Sequence, residues 1–561
     1  MAQTWTLGEI PTRPGVAYRV ERGDVTTVPA VNGVCAVLLS SNWGPLNQVV
    51  DIDISQLNNI TDIFGNDGRE EVLRQALIGG ARRLKVVRVG SGGGVMGNWL
   101  YSAVEEIVLH IKRAVPANGE LSVLTGRMAL VKNTLKFVVT NMKYKAYELN
   151  TDYTLIETKN AANTEYTKRT VKFTEAGLAK VAADGGQVHV YERFKPAAEK
   201  LVRLWSRFKG SRAFTMTLKT DPISGKRQFL VYDGTTLFDK IEFAAGGDEA
   251  KKFVETINAT STKFHARYDK AGVLADFASR KNYPGIDPTA NLAAYSKGMD
   301  ILEREYWNTI IVDRNGENIS SLLVEFVKQC SQTGRLGIAV LGGINSDSWA
   351  TRKTYAKAIN SPYVVYVPSG WKDTSGTGWQ GYRAAARIAG MIAGSETHSS
   401  LTHATIDGAV DLMEPLSHYE IVRGIESGCL MLSKNDDDQI QIDYAITTLI
   451  NPDEHHDDGW KKIRRVKCRQ ALMTRINRTC DRLIGKLNNS PDGRATLVAA
   501  MNSVVREMAA SGDLVAGSYF EEDSRYPPIA DVAYFIGIIR DFDSLERVLI
   551  SFNFAYGQSF D

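Results

Sequence analysis

The sequence predicts a multidomain α/β chain. Three observations carry that prediction: the length, a helix and strand alternation interrupted in mid-chain, and a change of apolar period within the interruption. At 561 residues, the chain can hold about three to five folding units of ~100 to 200 residues each. Apolar residues make up 43% and charged residues 23% of it, the balance of a folded protein rather than a disordered or collagenous one.

The alternation opens with an apolar strand run over Val31–Ser40, helical spacing over Ser55–Phe64 and Glu70–Gly79, and a strand over Leu84–Val89. The glycine string at 90–94 reads as a flexible junction, because glycine loses the most backbone entropy on ordering. From about Ala103 to His265 the apolar period drops to two, and turn pairs such as Asn118-Gly119 and Asp233-Gly234 separate the segments. This predicts an inserted β-rich unit, with helical breaks expected at Ala197–Phe208 and Glu249–Ile257. The alternation then resumes. Helices are expected at Leu292–Tyr306, Ile319–Gln332 and Ser348–Ile359, and strands at Asn308–Val312, Leu336–Gly343 and Tyr363–Val367. Strands apolar on both faces between helices of this length predict a parallel sheet covered on both sides. The last hundred residues predict helices at Arg469–Leu487 and Arg494–Ala510, then strands at Ser518–Glu522, Asp531–Ile539 and Arg547–Ala555.

Composition narrows the function. Lys and Arg exceed Asp and Glu by only 67 to 64, so no global field favours direct nucleic-acid contact. The longest nearly uncharged apolar run, Leu336–Ile344, has nine residues, against ~20 for a bilayer span, and membrane insertion is not expected. The N-terminus has no basic and apolar leader, which leads us to expect cytosolic synthesis. Five dispersed cysteines without a CxxC pair read as reduced core thiols.

Motifs of chemistry are weak. The string GTGWQG at 376–381 matches a dinucleotide fingerprint, but eight residues separate it from the preceding strand, so an exposed flexible loop is expected. No GxxxxGK[ST] string occurs. The run at 453–458 (DEHHDD) lacks metal-ligand spacing and reads as a solvated connector. His398 and His403, near Ser395, Ser399 and Ser400, come without a GxSxG elbow and read as a polar loop. No catalytic, cofactor-binding or metal site is assigned, and no cofactor is expected. The sharpest charge feature is Lys461–Lys486, with ten basic residues against the single acid Asp481. Arg475, Arg478 and Arg482 share one helical face. It reads as a solvated face or as a docking surface for an acidic partner.

Four stretches resemble the contractile tail sheath proteins of bacteriophages and R-type bacteriocins, in their Gram-positive-type form. These are PGVAYRVERG at 14–23, the run from VNGVCAVLLSSNWGPLNQVVDI to GGARRLKVVRV at 31–89, NLAAYSKGMDILEREYWNTIIV at 291–312, and the tail from IDGAVDLMEPLSHYEIVRGIESGCLML onward. The resemblance implies an α/β multidomain fold: a core sheath domain of subtilisin-like topology, an inserted β-rich domain, and an α+β C-terminal domain with terminal extension strands. It divides the chain into an N-terminal arm at 1–22, the first part of the core at 23–94, an outer insertion at 95–285, the core at 286–452, a C-terminal domain at 453–545 and an extension strand at 546–561. It implies a structural role without enzymatic activity, in a virion tail assembled in the host bacterial cytoplasm. The partners it implies are copies of the same chain in hexameric rings stacked helically, a tail tube protein, and baseplate and tail terminator proteins. Val16, Tyr18 and Val20 at one end, and Val548, Ile550, Phe552 and Phe554 at the other, are then the expected intersubunit strand-addition residues. Lys461, Lys462, Arg475, Arg478 and Arg482 are the expected tube or neighbour docking residues. Two rivals remain on the sequence alone: the sheath of a phage-derived bacteriocin or other injection machine, and a cytosolic α/β hydrolase.

Overall fold

The computed structural model describes residues 3–4, 17–18, 33–104, 107–123, 128–129, 138–159, 165–196, 198–344 and 346–552. The chain divides into two compact units. One comprises residues 1–94, 208–212 and 286–561, and the other residues 95–207 and 213–285.

The first unit is built on a six-stranded sheet. In chain order its elements are β1 (Val34–Leu39), β2 (Val49–Asp53), α1 (Glu71–Ile78), β3 (Arg83–Arg88), α2 (Leu292–Leu302), β4 (Thr309–Val312), α3 (Glu317–Gln332), β5 (Ile338–Gly342), α4 (Trp349–Ile359), β6 (Val364–Val367) and α5 (Tyr382–Gly394). The strand order is β6-β5-β4-β1-β3-β2. All neighbours run parallel except β2, which closes the edge antiparallel to β3. Every residue of β4 and β6 is buried, as expected for β-branched strands covered on both faces. Helix α5 lies against β4, β5, β1 and β6 and pairs with α1, whereas α2 packs on β1, β3 and α3. The α1–α5 approach is close enough that a Cβ on Gly390 would stand 2.1 Å from the Ala76 carbonyl oxygen. The small-residue sequence of α5 answers that geometry, since any larger side chain there displaces backbone.

Two expectations change here. The 90–94 junction is paired rather than loose: Ser91 and Thr289 exchange backbone hydrogen bonds of 3.0 and 2.9 Å, as do Gly94 and Ile286 at 2.9 and 3.0 Å. Residues 208–212 return to the first unit, where the buried Arg88 guanidinium donates to the carbonyls of Ser41, Gly44 and Lys209. Burial lowers the Arg88 pKa to about 10.

The C-terminal part of this unit contains α6 (Ile463–Asp481), α7 (Pro491–Ala510), and the antiparallel pair β7 (Tyr519–Glu522) and β8 (Phe535–Ile538). Helix α6 begins six residues earlier than its expected start at Arg469, while Ser490 caps α7 at Gly493 N and Pro491 fills its first turn. The expected strand at Arg547–Ala555 is absent over 547–552, which is irregular; residues 553–555 lie outside the described residues.

The second unit is β-rich, with sheets of seven, three and four strands. One expectation fails within it: Ala197–Phe208 is not helical, and Lys200–Lys209 is the central strand between Val95–Tyr101 and Phe264–Tyr268. Its burial alternates, so cross-strand pairing overrides a local pattern that also suits a helix. The helix at Glu249–Thr260 is present, capped by Asp248.

Candidate functional site

The place where an open parallel sheet usually binds ligand is the crevice at the carboxyl ends of the two strands where the winding reverses. Here that crevice lies beyond β1 and β4, which carry Ser40 and Asp313 as their next residues. The Asp313 side chain is fully buried. It accepts hydrogen bonds from Ser40 N and Ser40 Oγ, each at 2.7 Å, and from the Tyr295 hydroxyl. Arg69 and Arg314 add ion pairs at 3.6 and 3.9 Å. Burial, together with the neighbouring Asp313 charge, pushes the Tyr295 phenol far above its ordinary value. Both carboxylate oxygens accept hydrogen bonds from groups of the same chain, so Asp313 closes the crevice as a polar lock.

The weaker motifs are also consumed structurally. GTGWQG is an ordered hairpin turn rather than a flexible loop: Trp371–Asp373 pairs with Gly378–Trp379, and Asp373 accepts from Ser375 N, Thr377 N and Trp379 Nε1. The helix start behind it is occupied by Asn315 Oδ1, which accepts from Tyr382 N at 2.8 Å. In the 453–458 run, Asp453 accepts from His456 Nδ1 at 2.8 Å, Asp457 pairs with Arg469 and Asp458 with Lys461. Among the described residues no group of three or more His, Cys, Asp or Glu side chains is placed to hold a metal ion. The Ser395 and Ser400 hydroxyls are engaged with Lys467 and Glu546 respectively.

The basic run is not one exposed surface, and this corrects the sequence reading. Its first half is turned onto the chain's own C-terminal segment, 541–546. Lys462 pairs with Asp543 at 2.9 Å and Glu546 at 2.7 Å. Arg465 forms a bidentate pair with Asp541, and Arg464 donates to the carbonyls of His398 and Phe542. Ser400 and Thr402 add hydrogen bonds to Glu546 of 2.6 and 3.0 Å. Burial pulls the Lys462 pKa down, but the Glu546 and Asp543 bonds outweigh it and hold the ammonium above the ordinary lysine range. Of the expected docking residues, Lys461 is paired locally with Asp458 and Lys462 belongs to this clamp. Arg475 is half-buried, and Arg478 and Arg482 are exposed, with Arg478 lying 5.0 Å over the Tyr306 ring. Lys467 is buried and donates to the Ser395 carbonyl, and burial lowers its pKa to about 7.

Beyond the clamp the chain changes character. Val548 and Ile550 are each 66% exposed, Leu549 98% and Phe552 71%. Phe554 lies outside the described residues, as do Val16 and Val20. Tyr18 sits in the short strand Ala17–Tyr18, paired in parallel with Gln3–Thr4 of the same chain. The sequence reading missed both the Asp313 lock and the clamp. The second left a signal, since the acidic DFDSLE at 541–546 complements the basic start of α6.

Residues 289–448 match the family model described as the phage tail sheath protein central domain. Over 235 residues the chain is 24% identical to the uncharacterized protein YqbK of Bacillus subtilis (strain 168), which is 41% of this chain and 46% of that protein. The chain thus spans about half the length of this curated relative. The crystal structure of a sheath tail protein from Desulfitobacterium hafniense matches with a TM-score of 0.57 at 14% identity, covering 96% of this chain and all of that one. A sheath tail protein from Listeria innocua matches with a TM-score of 0.56 at 13% identity, covering 93% and 96%. At these identities the likeness is one of fold. Residues 289–448 are thus similar to the phage tail sheath protein central domain, and the chain as a whole has the fold of the sheath tail proteins it matches.

Proposed function

We propose that this chain is the structural subunit of a contractile tail sheath, which polymerises around a tail tube and shortens to drive that tube through a bacterial envelope. The observation that carries the proposal is the C-terminal segment: a charged clamp fixes residues 541–546, and Val548, Leu549 and Ile550 after it are exposed in irregular backbone. An exposed apolar β-branched terminus is an aggregation liability unless another sheet receives it. Strand addition would satisfy its backbone groups at ~1 kcal/mol net per hydrogen bond. Val548, Ile550 and Phe552 would then enter a neighbouring copy, with Val16, Tyr18 and Val20 of a further copy as the second added strand. Arg475, Arg478 and Arg482 would face the tube or the next subunit. Hexameric rings, the subtilisin-like description of the core, the baseplate and terminator contacts and the virion location belong to the same reading. The work would come from repacking a trapped extended lattice into a more favourable short one.

Electron microscopy of the purified chain tests this reading. Rings or long hollow tubes are expected from the full chain, and none from a chain lacking 547–561. Normal polymers from the trimmed chain, or a small discrete oligomer from the full one, would reject it.

A further inference from the structure

The three-stranded sheet of the second unit presents one face to the core and leaves the other open. On the open face Arg203 lies 4.7 Å over the ring of Trp205 and 5.5 Å over that of Trp99, and Lys200 lies 5.0 Å over Trp99. Arg203 stands directly opposite Arg267 in the antiparallel register, and like charges in cross-strand register destabilise a sheet. Arg267 is relieved by Asp269 at 2.8 Å. Arg203 and Lys200 form no ion pair among the described residues, although both are exposed.

These indole faces are already covered by the chain's own cations, so the stacking platform that single-stranded nucleic acid or a sugar ring requires is taken. What remains available is the guanidinium of Arg203 beside the Lys200 ammonium, and that pair of cations suits carboxylates. The chain carries a matching group. The hairpin Leu432–Lys434 to Ile440–Ile442 has the tip Asp436-Asp437-Asp438, all three exposed, and only Asp438 is ion-paired, to Lys434 at 2.7 Å.

We propose that the Lys200–Arg203 face docks the Asp436–Asp437 hairpin tip of a second copy of this chain. The inference rests on the sheath reading for its supply of neighbouring copies, and it adds a charge contact distinct from the terminal strands. The juxtaposition is of rim type, so it sets register and salt sensitivity more than total affinity.

The test uses the full-length chain with Lys200→Glu/Arg203→Glu, with Asp436→Lys/Asp437→Lys, and with all four changes together. Sedimentation gives the critical concentration for assembly at low and at physiological salt. About a tenfold rise is expected for either double variant at low salt, with recovery when all four are combined. Unchanged melting by circular dichroism checks the fold, and Arg203→Lys, which keeps the charge but loses the guanidinium edge, should fall between the unmodified chain and the double variant. Unaltered assembly in both double variants overturns the proposal, and so does failure of the four-change variant to recover, because the face would then meet something else. A second measurement does not need polymers: Lys200→Cys and Asp437→Cys chains, mixed and treated with a short bismaleimide, should yield a crosslinked pair, and its absence also overturns the proposal. A chain trimmed at 547 that still polymerises would reject the arm reading alone, leaving the charge-exchange result to stand by itself.

Discussion

The crevice around Asp313 and the segment after Glu546 lie in the same compact unit and are opposites. In the crevice, a buried carboxylate is surrounded by Ser40, Tyr295, Arg69 and Arg314, all from the same chain. After Glu546, Val548, Leu549 and Ile550 are exposed, and among the described residues 547–552 the backbone is irregular. The first region is tied up within the chain, whereas the second offers exposed apolar side chains on irregular backbone.

The contrast can be broken at its finished side first. Asp313→Ala leaves two arginines and a buried hydroxyl without their acceptor, so a loss of about 3 to 5 kcal/mol is expected, read as a lower denaturation midpoint by chemical unfolding. An unaltered midpoint would mean that the lock is ornamental. Next in size is the clamp. Asp543→Asn with Glu546→Gln removes both acidic partners of Lys462, and ~1 to 3 kcal/mol is expected. Limited proteolysis should then cut within 541–552 well before global melting changes, whereas the unmodified chain should be cut only after the clamp.

A pH titration sharpens the comparison further. Lys467 is buried with a folded pKa of about 7, below its unfolded value, so between about pH 7 and the ordinary lysine range the unfolded chain holds more protons. Its contribution to stability therefore rises with pH across that window and is flat below it. Lys467→Met should remove that slope from the melting temperature, and a slope that persists would locate its source elsewhere. The smallest folding effect is expected from Arg475→Glu/Arg478→Glu/Arg482→Glu, within about 0.5 kcal/mol because these positions lie largely outside the internal pairs. The same variant should assemble poorly on tail tubes, and normal assembly would remove this face from the docking surface.

The parallel core was legible because its strands are short continuous apolar runs, TIIV at 309–312 and VVYV at 364–367, between helices of ordinary length. Lys200–Lys209 was not, because Leu201, Leu204 and Phe208 also satisfy helical spacing and only the flanking strands decide between the two periods. The Asp313 lock was illegible for a different reason. Its partners lie at 40, 69, 295 and 314, and nothing local in sequence joins the two ends of that span. The basic run was legible as charge, with Arg475, Arg478 and Arg482 on one face, but the burial of its first half was not, since α6 turns that half inward onto Asp541, Asp543 and Glu546.

The clamp also fixes where a tug on the chain's end is felt. Tension at Phe552 would pass first through the unstructured residues 547–552 and then, by way of Glu546 and Asp541, directly into the long helix α6. Helix α6 spans Ile463–Asp481, so such a pull would arrive on a regular element rather than on a loop.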